Sequence, residues 1–335
     1  MSTTVSVIVT VKNEAANIER LVGSLLAQTR QVEEIVIVDG GSTDATVDII
    51  KRFVAQGAPI TLVNAAGCNI SQGRNLAVKA ARGEIIASTD AGVTLHPDWL
   101  ANLVAGFGSA DGFHSVVTPE GGSIGSTNVG VVSGFFVPDC STVFESAMGA
   151  TVLPELADVK PDSFLPSSRS VAFRRSAWEA VGGYPEWLDY CEDLVFDLNL
   201  KRAGIKFGFA PHAIAYFKPR GNLRSFIRQY FLYARGDGKA GLWPKRHAVR
   251  YFTYLLFAPL ALVLGFWYKI LWLVVLLGAA AYLRRPYERL LPFLPDYRPI
   301  DRIKAILLVP VIRVVGDLSK MMGYPVGLWW RVRNR

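Results

Sequence analysis

Two short runs of β-branched residues near the start of the chain constrain its fold more than any other feature. Residues 5–11 and 34–38 consist almost entirely of Val, Ile and small polar residues, a pattern that indicates buried strands. The loops after them carry Glu14, Asp39 and Asp44, and each loop leads into a helical pattern. In an open α/β sheet, ligands bind in the crevice at the carboxyl ends of the strands. The sequence therefore predicts a ligand site that contains these carboxylates.

Strands and helices continue to alternate through the first third of the chain. Further strand patterns lie at 59–63 and 84–88, with a helical pattern at 74–81 between them. This alternation predicts an α/β fold with a largely parallel sheet, flanked by helices and joined by right-handed crossovers. No Gly-x-Gly-x-x-Gly motif follows the first strand, which argues against a dinucleotide-binding dehydrogenase.

Composition points to a membrane surface as a partner. The 335 residues carry a formal net charge of +8 and have a mean hydropathy of +0.27, with the apolar excess concentrated after Arg250. Basic charge beside apolar segments favours an anionic membrane surface, and no nucleic-acid-binding motif accompanies it. The three scattered cysteines form no Cys-x-x-Cys pair, so we predict neither a disulfide framework nor a cysteine metal site. The N-terminus has no signal-peptide pattern, which predicts a catalytic domain in the cytosol.

A long apolar run at 247–283 predicts membrane helices. One span needs about 20 residues, so this run is too long for one span and long enough for two short ones joined near Gly265 and Lys269. A buried pair of core helices and a re-entrant hairpin are the alternatives. Basic residues flank both ends, which places both ends on the cytoplasmic side by the positive-inside rule. These residues are Arg246, Arg250, Arg284, Arg285 and Arg289.

Three further segments carry polar residues at spacings typical of an enzyme site. Arg74 and Asn75 lie in the first turns of a predicted helix. Asp90 lies two positions after the strand pattern at 84–88, two positions before Gly92 and shortly before a His-Pro-Asp-Trp sequence. A Gly-Gly-Tyr sequence precedes the adjacent acids Glu192 and Asp193, which open another helix.

These motifs, together with the strand ends described above, resemble glycosyltransferase family 2 over roughly residues 5–235. The resemblance implies the GT-A nucleotide-sugar-binding fold. It implies that Thr10, Glu14 and Asp39 contact the base or ribose of the donor and that Arg74 reaches the nucleotide. The alternatives from the residues alone are that Asp39 organises a turn and that Arg74 is a surface arginine.

The resemblance also suggests a metal site, but one ligand is missing. Family members hold a divalent cation on the donor diphosphate with Asp-x-Asp, and here Asp90 matches the first Asp whereas Gly92 replaces the second. One carboxylate binds Mg²⁺ or Mn²⁺ less well than two, so the sequence leaves a metal cofactor open. Lys218 and Arg220 stand near the end of the catalytic domain, and we predict that they neutralise the diphosphate instead.

The acceptor side carries the predicted base. By resemblance, Asp193 takes the proton of the acceptor hydroxyl, and Glu192 orients the acceptor or tunes this base. Tyr184, Trp187 and Tyr190 are predicted to contact the acceptor sugar or lipid, with core packing as the alternative. A segment with Gln229, Tyr233 and Arg235 resembles that of membrane-associated members and differs from that of processive synthases, which favours transfer of a single sugar.

Together these features predict an inverting glycosyltransferase at the cytoplasmic face of the cell membrane. It would move one sugar from a UDP- or GDP-sugar to a lipid-linked or membrane-proximal acceptor. The alternative is a non-catalytic protein that binds nucleotide sugars. The predicted parts are a catalytic domain at 1–220, an amphipathic interfacial segment at 221–250, a transmembrane or re-entrant hairpin at 251–283, and a basic membrane-associated tail at 284–335.

Overall fold

The computed structural model describes residues 3–108, 129–160 and 163–334. The chain divides into two compact units. The first consists of residues 1–137 and 155–217, and the second of residues 138–154 and 218–335.

The first unit is built on a mixed β-sheet. Its strands are β1 (Val5–Val11), β2 (Glu34–Asp39), β3 (Ile60–Asn64), β4 (Ile85–Asp90), β5 (Val93–Leu95), β6 (Val129–Pro138), β7 (Val171–Arg174) and β8 (Lys206–Phe217). They lie in the order β3-β2-β1-β4-β7-β6-β8-β5. The pairs that join β3, β2, β1 and β4 are parallel, whereas β7 pairs with β4 and β6 in the antiparallel sense, as β5 does with β8. The predicted parallel order therefore holds for the first four strands.

Helices cover the sheet because their apolar residues recur at helical spacing. In the first helix, for example, Ile18, Leu21, Val22 and Leu25 are all buried. The core beneath the helices includes Ile8, Val36, Ile86 and Phe173. The helices of the first unit are α1 (Ile18–Leu26), α2 (Thr46–Ala55), α3 (Ile70–Ala80), α4 (Trp99–Ala105), α6 (Arg175–Ala180) and α7 (Glu192–Arg202).

The second unit is helical in the residues that the structure describes. Its helices are α5 (Val143–Val152), α8 (Leu223–Ala240), α9 (Pro244–Tyr251), α10 (Ala258–Leu264), α11 (Ile270–Leu290) and α12 (Pro299–Arg333). The long helix α12 packs along α8, and both run in the same direction, since Gly316 lies beside Phe226 and Gly327 beside Arg235. A π-helical turn at Phe252–Phe257 connects α9 to α10, and a 3₁₀ turn at Leu291–Asp296 follows α11.

Glycines let α8 and α12 approach until their backbones touch. A Cβ atom added at Gly323 would lie 2.1 Å from the carbonyl oxygen of Phe231, and one at Gly327 would lie 2.1 Å from that of Arg235. No side chain fits at these distances without separating the helices. The pair therefore depends on glycine at both positions.

We expect Gly323→Ala to lower the free energy of unfolding by about 1–3 kcal/mol, because the added methyl group overpacks a backbone contact. Gly278→Ala in α11 is the matched control, since nothing lies within 4 Å of its added Cβ. Alanine is the better helix former by roughly 1 kcal/mol, so the control should be neutral or slightly stabilising. Thermal unfolding in detergent measures both variants. Equal stability of the two would contradict the close contact.

Two stretches of the second unit are long and apolar enough to cross a membrane. They span Pro244–Leu264 and Ile270–Asp296, and 11% and 6% of their most apolar windows are buried within the protein. Large apolar side chains stand exposed on them, including Leu255 at 68% and Leu276 at 65%. This low burial sets them apart from helices that pack in a protein core.

Candidate active site

The predicted donor residues of three strands lie side by side at one edge of the sheet. In the parallel register Thr10 is level with Asp90 of β4, and the next residue of β1 is level with Asp39 of β2. All three therefore stand at the carboxyl ends of neighbouring strands. This is the crevice in which open α/β sheets bind ligands.

Asp39 also organises the turn that follows β2. Its buried carboxylate accepts hydrogen bonds from the backbone N–H groups of Gly41, at 3.0 Å, and Ser42, and from the Ser42 hydroxyl. Asp44 acts in a similar way further along the loop, where it accepts from the backbone N–H groups of Ala15 and Thr46. The turn role left open for Asp39 by the sequence is thus present in the structure. Its predicted contact with the donor stays a prediction.

Glu14 lies in the loop after β1 and is held by local contacts. Its backbone N–H donates to the hydroxyl of Thr46 at 2.8 Å, and its Oε2 accepts from Asn17 Nδ2 at 2.8 Å. The loop after β1 is thereby tied to the start of α2.

Arg74 joins Asp90, a predicted donor residue, to Glu192 on the predicted acceptor side. It lies on α3, whose N-terminus is closed by a capping box between Asn69 and Gln72. Its guanidinium donates to Asp90 Oδ1 at 3.0 Å and forms a second ion pair with Glu192, and its side chain is only 4% exposed. Arg74 is therefore a buried bridge between two carboxylates, and the alternative of a surface arginine is wrong.

Asn75, the next residue on α3, holds the segment around Tyr184 in place. Its Oδ1 accepts from the backbone N–H of Tyr184 at 2.8 Å, and its Nδ2 donates to the Tyr184 carbonyl at 2.9 Å and to Glu186 at 2.9 Å. Gly183 has a φ of +79° and could not carry a side chain, because a Cβ would lie 2.7 Å from Asn75 Oδ1. This contact accounts for Gly183, whereas Gly182 has a φ of +73° and open space around its Cβ position.

The Glu-Asp pair opens α7 after a residue in a left-handed conformation. Cys191, at the N-cap position, has a φ of 64°, which is uncommon for a residue other than glycine. Such conformations cost about 1–3 kcal/mol and concentrate at functional sites. Glu192 is buried against Arg74, whereas Asp193 is half-buried and accepts through Oδ1 from the N–H of Leu194 at 2.8 Å. The two neighbouring acids therefore stand in different surroundings.

Burial and neighbouring charges shift the pKa values of Glu192, Arg74 and Asp197. Burial raises the pKa of Glu192 to about 7; the charge of Arg74 opposes the rise and Asp193 adds to it. Burial alone would lower the pKa of Arg74, but Glu192 and Asp90 hold it above its ordinary value, so the arginine stays charged. Burial also raises the pKa of Asp197, one helical turn after Asp193, and the charge of Asp193 adds to that rise.

The stability of the protein should fall as the pH rises through the pKa of Glu192. The ordinary pKa of a glutamate is 4.5, which applies to the unfolded chain, and that of Glu192 in the native state is about 7. Between pH 4.5 and about 7 the native state therefore binds more protons than the unfolded chain. The slope is at most about 1.4 kcal/mol per pH unit for one proton. Unfolding of wild type and Glu192→Gln from pH 5 to 8 tests this. Glutamine has no carboxyl group to titrate, so the stability difference between the two proteins should change with pH. A difference that stays constant would contradict the assignment.

The three predicted acceptor aromatics differ in their surroundings. Tyr184 is 2% exposed and stacks on Phe196 with ring centroids 4.2 Å apart, and the guanidinium of Arg74 lies 5.5 Å from its ring centre. It therefore packs in the core and supports Arg74. Trp187 is 48% exposed and Tyr190 is half-buried, so both remain predicted acceptor contacts.

The two residues predicted to neutralise the diphosphate come directly after β8 in the chain. Lys218 and Arg220 lie just after Phe217, and Lys218 stands near Glu145 within the second unit. Burial raises the pKa of Glu145, but hydrogen bonds from Ser141 and the charge of Lys218 lower it below its ordinary value. Lys218 thus has a carboxylate neighbour, and its donor role stays a prediction.

Sequence reasoning missed Arg169. Its backbone carbonyl accepts from the hydroxyl of Thr89, next to Asp90, at 2.9 Å. Its guanidinium lies over the rings of Phe217 and Phe136, at 4.5 Å and 5.5 Å from their centres. Its backbone thus lies beside the carboxyl end of β4, and its cation lies over the two phenylalanine rings. No local signal could have indicated this, because the proximity comes from the antiparallel pairing of β4 with β7.

A possible metal site was predicted around Asp90, where the described residues supply few ligands. Among the described residues, no group of three or more His, Cys, Asp or Glu side chains could hold an ion. Asp90 offers a single carboxylate, one oxygen of which accepts from Arg74, and Gly92 faces open space. Divalent cations of the Mg²⁺ and Mn²⁺ type take about six oxygen ligands, so donor oxygens and water would have to supply the others.

Comparison with known proteins places the chain in a family. The family model described as Glycosyl transferase family 2 matches residues 6–136, and the model described as Glycosyl transferase family group 2 matches residues 157–309. The chain therefore belongs to glycosyltransferase family 2 and is a glycosyltransferase.

Among proteins similar to this one, the succinoglycan biosynthesis protein ExoA of Rhizobium meliloti is 26% identical over 244 residues, which are 71% of this chain and 70% of that protein. The glycosyltransferase AglE of Haloferax volcanii is 25% identical over 245 residues, with coverage of 70% and 72%. The mannosyltransferase PcManGT from Pyrobaculum calidifontis, solved with GDP-Man and Mn²⁺, superimposes with a TM-score of 0.54 at 23% identity over 96% of this chain and 88% of that one. This likeness confirms the predicted GT-A-like fold.

Proposed function

We propose that this glycosyltransferase transfers a single hexose, with inversion, from a UDP- or GDP-sugar to a lipid-linked or membrane-proximal acceptor in glycan synthesis. The observation that carries the proposal is the ion-pair bridge of Arg74. It ties Asp90, at the strand edge where the donor is expected, to Glu192, next to the predicted base. This bridge supports a site in which the donor and the acceptor lie on either side of Arg74.

In the proposed reaction, the acceptor hydroxyl attacks the anomeric carbon of the donor sugar from the face opposite the leaving group. The new C–O bond forms as the bond to the diphosphate oxygen breaks, and the nucleoside diphosphate leaves. Asp193 takes the hydroxyl proton. Glu192 is held by Arg74 and buried, so it serves as a positioning residue rather than as the base. Attack from the opposite face is what inverts the anomeric configuration.

The donor class is supported by relatives and by strand-edge geometry. The similar mannosyltransferase PcManGT was solved with GDP-Man, and the carboxyl ends of β1, β2 and β4 offer a corresponding crevice. An envelope glycan as the product class is supported by the similarity to a succinoglycan biosynthesis protein. The test is a screen of UDP- and GDP-sugars for donor hydrolysis and thermal stabilisation, with the full chain in detergent. Failure of every nucleotide sugar to bind would overturn the proposal and favour another donor class.

We also propose that the apolar hairpin of the second unit inserts into the membrane from the cytoplasmic side. The first stretch, Pro244–Leu264, carries Arg246 and Arg250 near its start, and α11 carries Arg284 and Arg285 near its end. The apolar part of α11, residues 270–283, would be about 21 Å long at about 1.5 Å per residue, shorter than the roughly 30 Å hydrocarbon core. This favours a re-entrant hairpin over two full spans. Co-sedimentation of the full chain with neutral vesicles tests insertion.

We expect the transfer rate to fall only partly in EDTA, because Gly92 supplies no second carboxylate. We propose that Arg169, whose backbone carbonyl accepts from Thr89 next to Asp90, offsets the charge of the diphosphate in place of a metal. The measurement is the transfer rate in EDTA and in Mn²⁺ for wild type and for Arg169→Gln. The EDTA rate should fall further in Arg169→Gln. Arg82→Gln, which removes an arginine that is 85% exposed, is the control. Complete loss in EDTA, restored by Mn²⁺, would show that donor oxygens and Asp90 hold an essential ion.

A further inference from the structure

Three cations of the second unit gather around one carboxylate at the base of the apolar hairpin. Arg250 lies at the end of α9, and Arg313 and Lys320 lie on α12 on either side of Asp317. We call these four residues the basal cluster. Arg313 and Lys320 are half-buried, and the side chains of Arg250 and Asp317 are 16% and 15% exposed.

The carboxylate of Asp317 is already engaged. Arg250 Nε donates to its Oδ1 at 2.6 Å, Tyr254 donates to Oδ2 at 3.3 Å, and Tyr282 also donates to Oδ2. Burial raises the pKa of Asp317, but the hydrogen bonds from Tyr282 and Arg250 lower it below its ordinary value, so it is ionised. Its charge therefore balances Arg250.

The other two cations of the basal cluster rest on aromatic rings. The guanidinium of Arg313 lies 4.5 Å from the centre of the Tyr282 ring, and its Nε is buried without a hydrogen-bond partner in the described residues. The ammonium of Lys320 lies 4.9 Å from the centre of the Tyr230 ring and makes no ion pair within the described parts of the chain. Burial and the charge of Arg250 lower the pKa of Lys320, and Asp317 opposes this only in part.

The depth of the basal cluster matches the level of lipid phosphates. Tyr254 and Tyr282 face each other across the hairpin, with hydroxyl oxygens 3.3 Å apart. From them to the tip near Gly265 the arms extend about 16–18 Å, at about 1.5 Å per residue. Half of a bilayer's hydrocarbon core is roughly 15 Å thick. A hairpin that enters one leaflet therefore leaves the cluster at the boundary between tails and headgroups.

We propose that Arg313 and Lys320 of the basal cluster bind the phosphate group of an anionic lipid. A phosphate supplies several acceptor oxygens and a negative charge, which balances the guanidinium of Arg313 and the ammonium of Lys320, both half-buried. The lipid is a phospholipid of the bilayer or a polyprenyl phosphate, since both present the same phosphate at this depth. A purely structural ion-pair network accounts for Arg250 and Asp317 but leaves these two cations unbalanced. The inference rests on the proposed insertion of the hairpin.

The test is calorimetric titration of the full chain in neutral detergent. The probes are a short-chain phosphatidic acid, a phosphatidylcholine with the same tails, a short polyprenyl phosphate and inorganic pyrophosphate. The variants are Arg313→Gln and Lys320→Gln, with Lys320→Arg as the charge-conserving form. Lys304→Gln is the matched control, because Lys304 lies on the same helix and is 60% exposed.

We expect phosphatidic acid or polyprenyl phosphate to bind Arg313→Gln and Lys320→Gln at least tenfold more weakly than it binds the wild type. Its affinity for Lys304→Gln and Lys320→Arg should equal that for the wild type. The tighter of the two lipids identifies the source of the phosphate. Equal binding by phosphatidylcholine, unchanged binding by both Gln variants, or pyrophosphate binding as tight as that of the lipids would overturn the proposal. Because titration is done in detergent, its outcome is distinguishable from a failure of the hairpin to sediment with vesicles.

Discussion

Asp193→Asn should lower the transfer rate by about 10²- to 10⁴-fold while the donor still binds, because the amide cannot accept the proton of the acceptor hydroxyl. The side chain keeps its shape and is only half-buried, so the fold should be unaffected. Stopped-time transfer assays give the rate, and titration with the nucleoside diphosphate gives donor affinity. The amide can still accept a hydrogen bond from Leu194, as Asp193 does.

The control for this substitution is Glu179→Gln, which changes an exposed acid on α6 of the same unit. It should leave the transfer rate within experimental error. A turnover in Asp193→Asn close to that of wild type would refute the assignment of the base. A large loss of donor affinity would instead move Asp193 from the acceptor side of the site to the donor side.

Arg74→Met should be among the most destabilising single changes in the first unit. It removes the cation that bridges Asp90 and the buried Glu192, and breaking a buried ion pair from one side typically costs about 3–5 kcal/mol. For a unit of this size that corresponds to a decrease in melting temperature of roughly 6–20 °C. Thermal unfolding of the full chain in detergent measures the decrease.

Two comparison variants show whether the loss comes from unpaired buried charge. Arg74→Met combined with Glu192→Gln removes both partners, and we expect it to recover much of the stability but none of the activity. Arg284→Met breaks a pair whose arginine and glutamate are 77% and 51% exposed and should cost less than about 1 kcal/mol. If the double variant were as unstable as Arg74→Met, the contribution of Arg74 to stability would come from packing on Tyr184 rather than from charge.

Much of the first unit could be predicted from local patterns. The β-branched runs indicated β1 and β2, and their parallel order brought Thr10, Asp39 and Asp90 to one edge as expected. The acids that open α7 are likewise readable over a few residues, whereas the capping box of Asn69 and Gln72 starts α3 at Ile70, before the predicted start at 74. Such signals are local because hydrogen bonding and periodic burial within one element depend on near neighbours in the chain.

The sequence by itself determined the elements, the family motifs and the long apolar run. The tertiary structure decided which charges meet. Arg74 pairs with Glu192, 118 positions away, and Arg169 reaches the end of β4 only because β7 runs antiparallel beside it. The cations around Asp317 come from separate helices whose approach depends on packing. Ion pairs and buried cations follow from the position of whole elements in space, which the local pattern of residues does not specify.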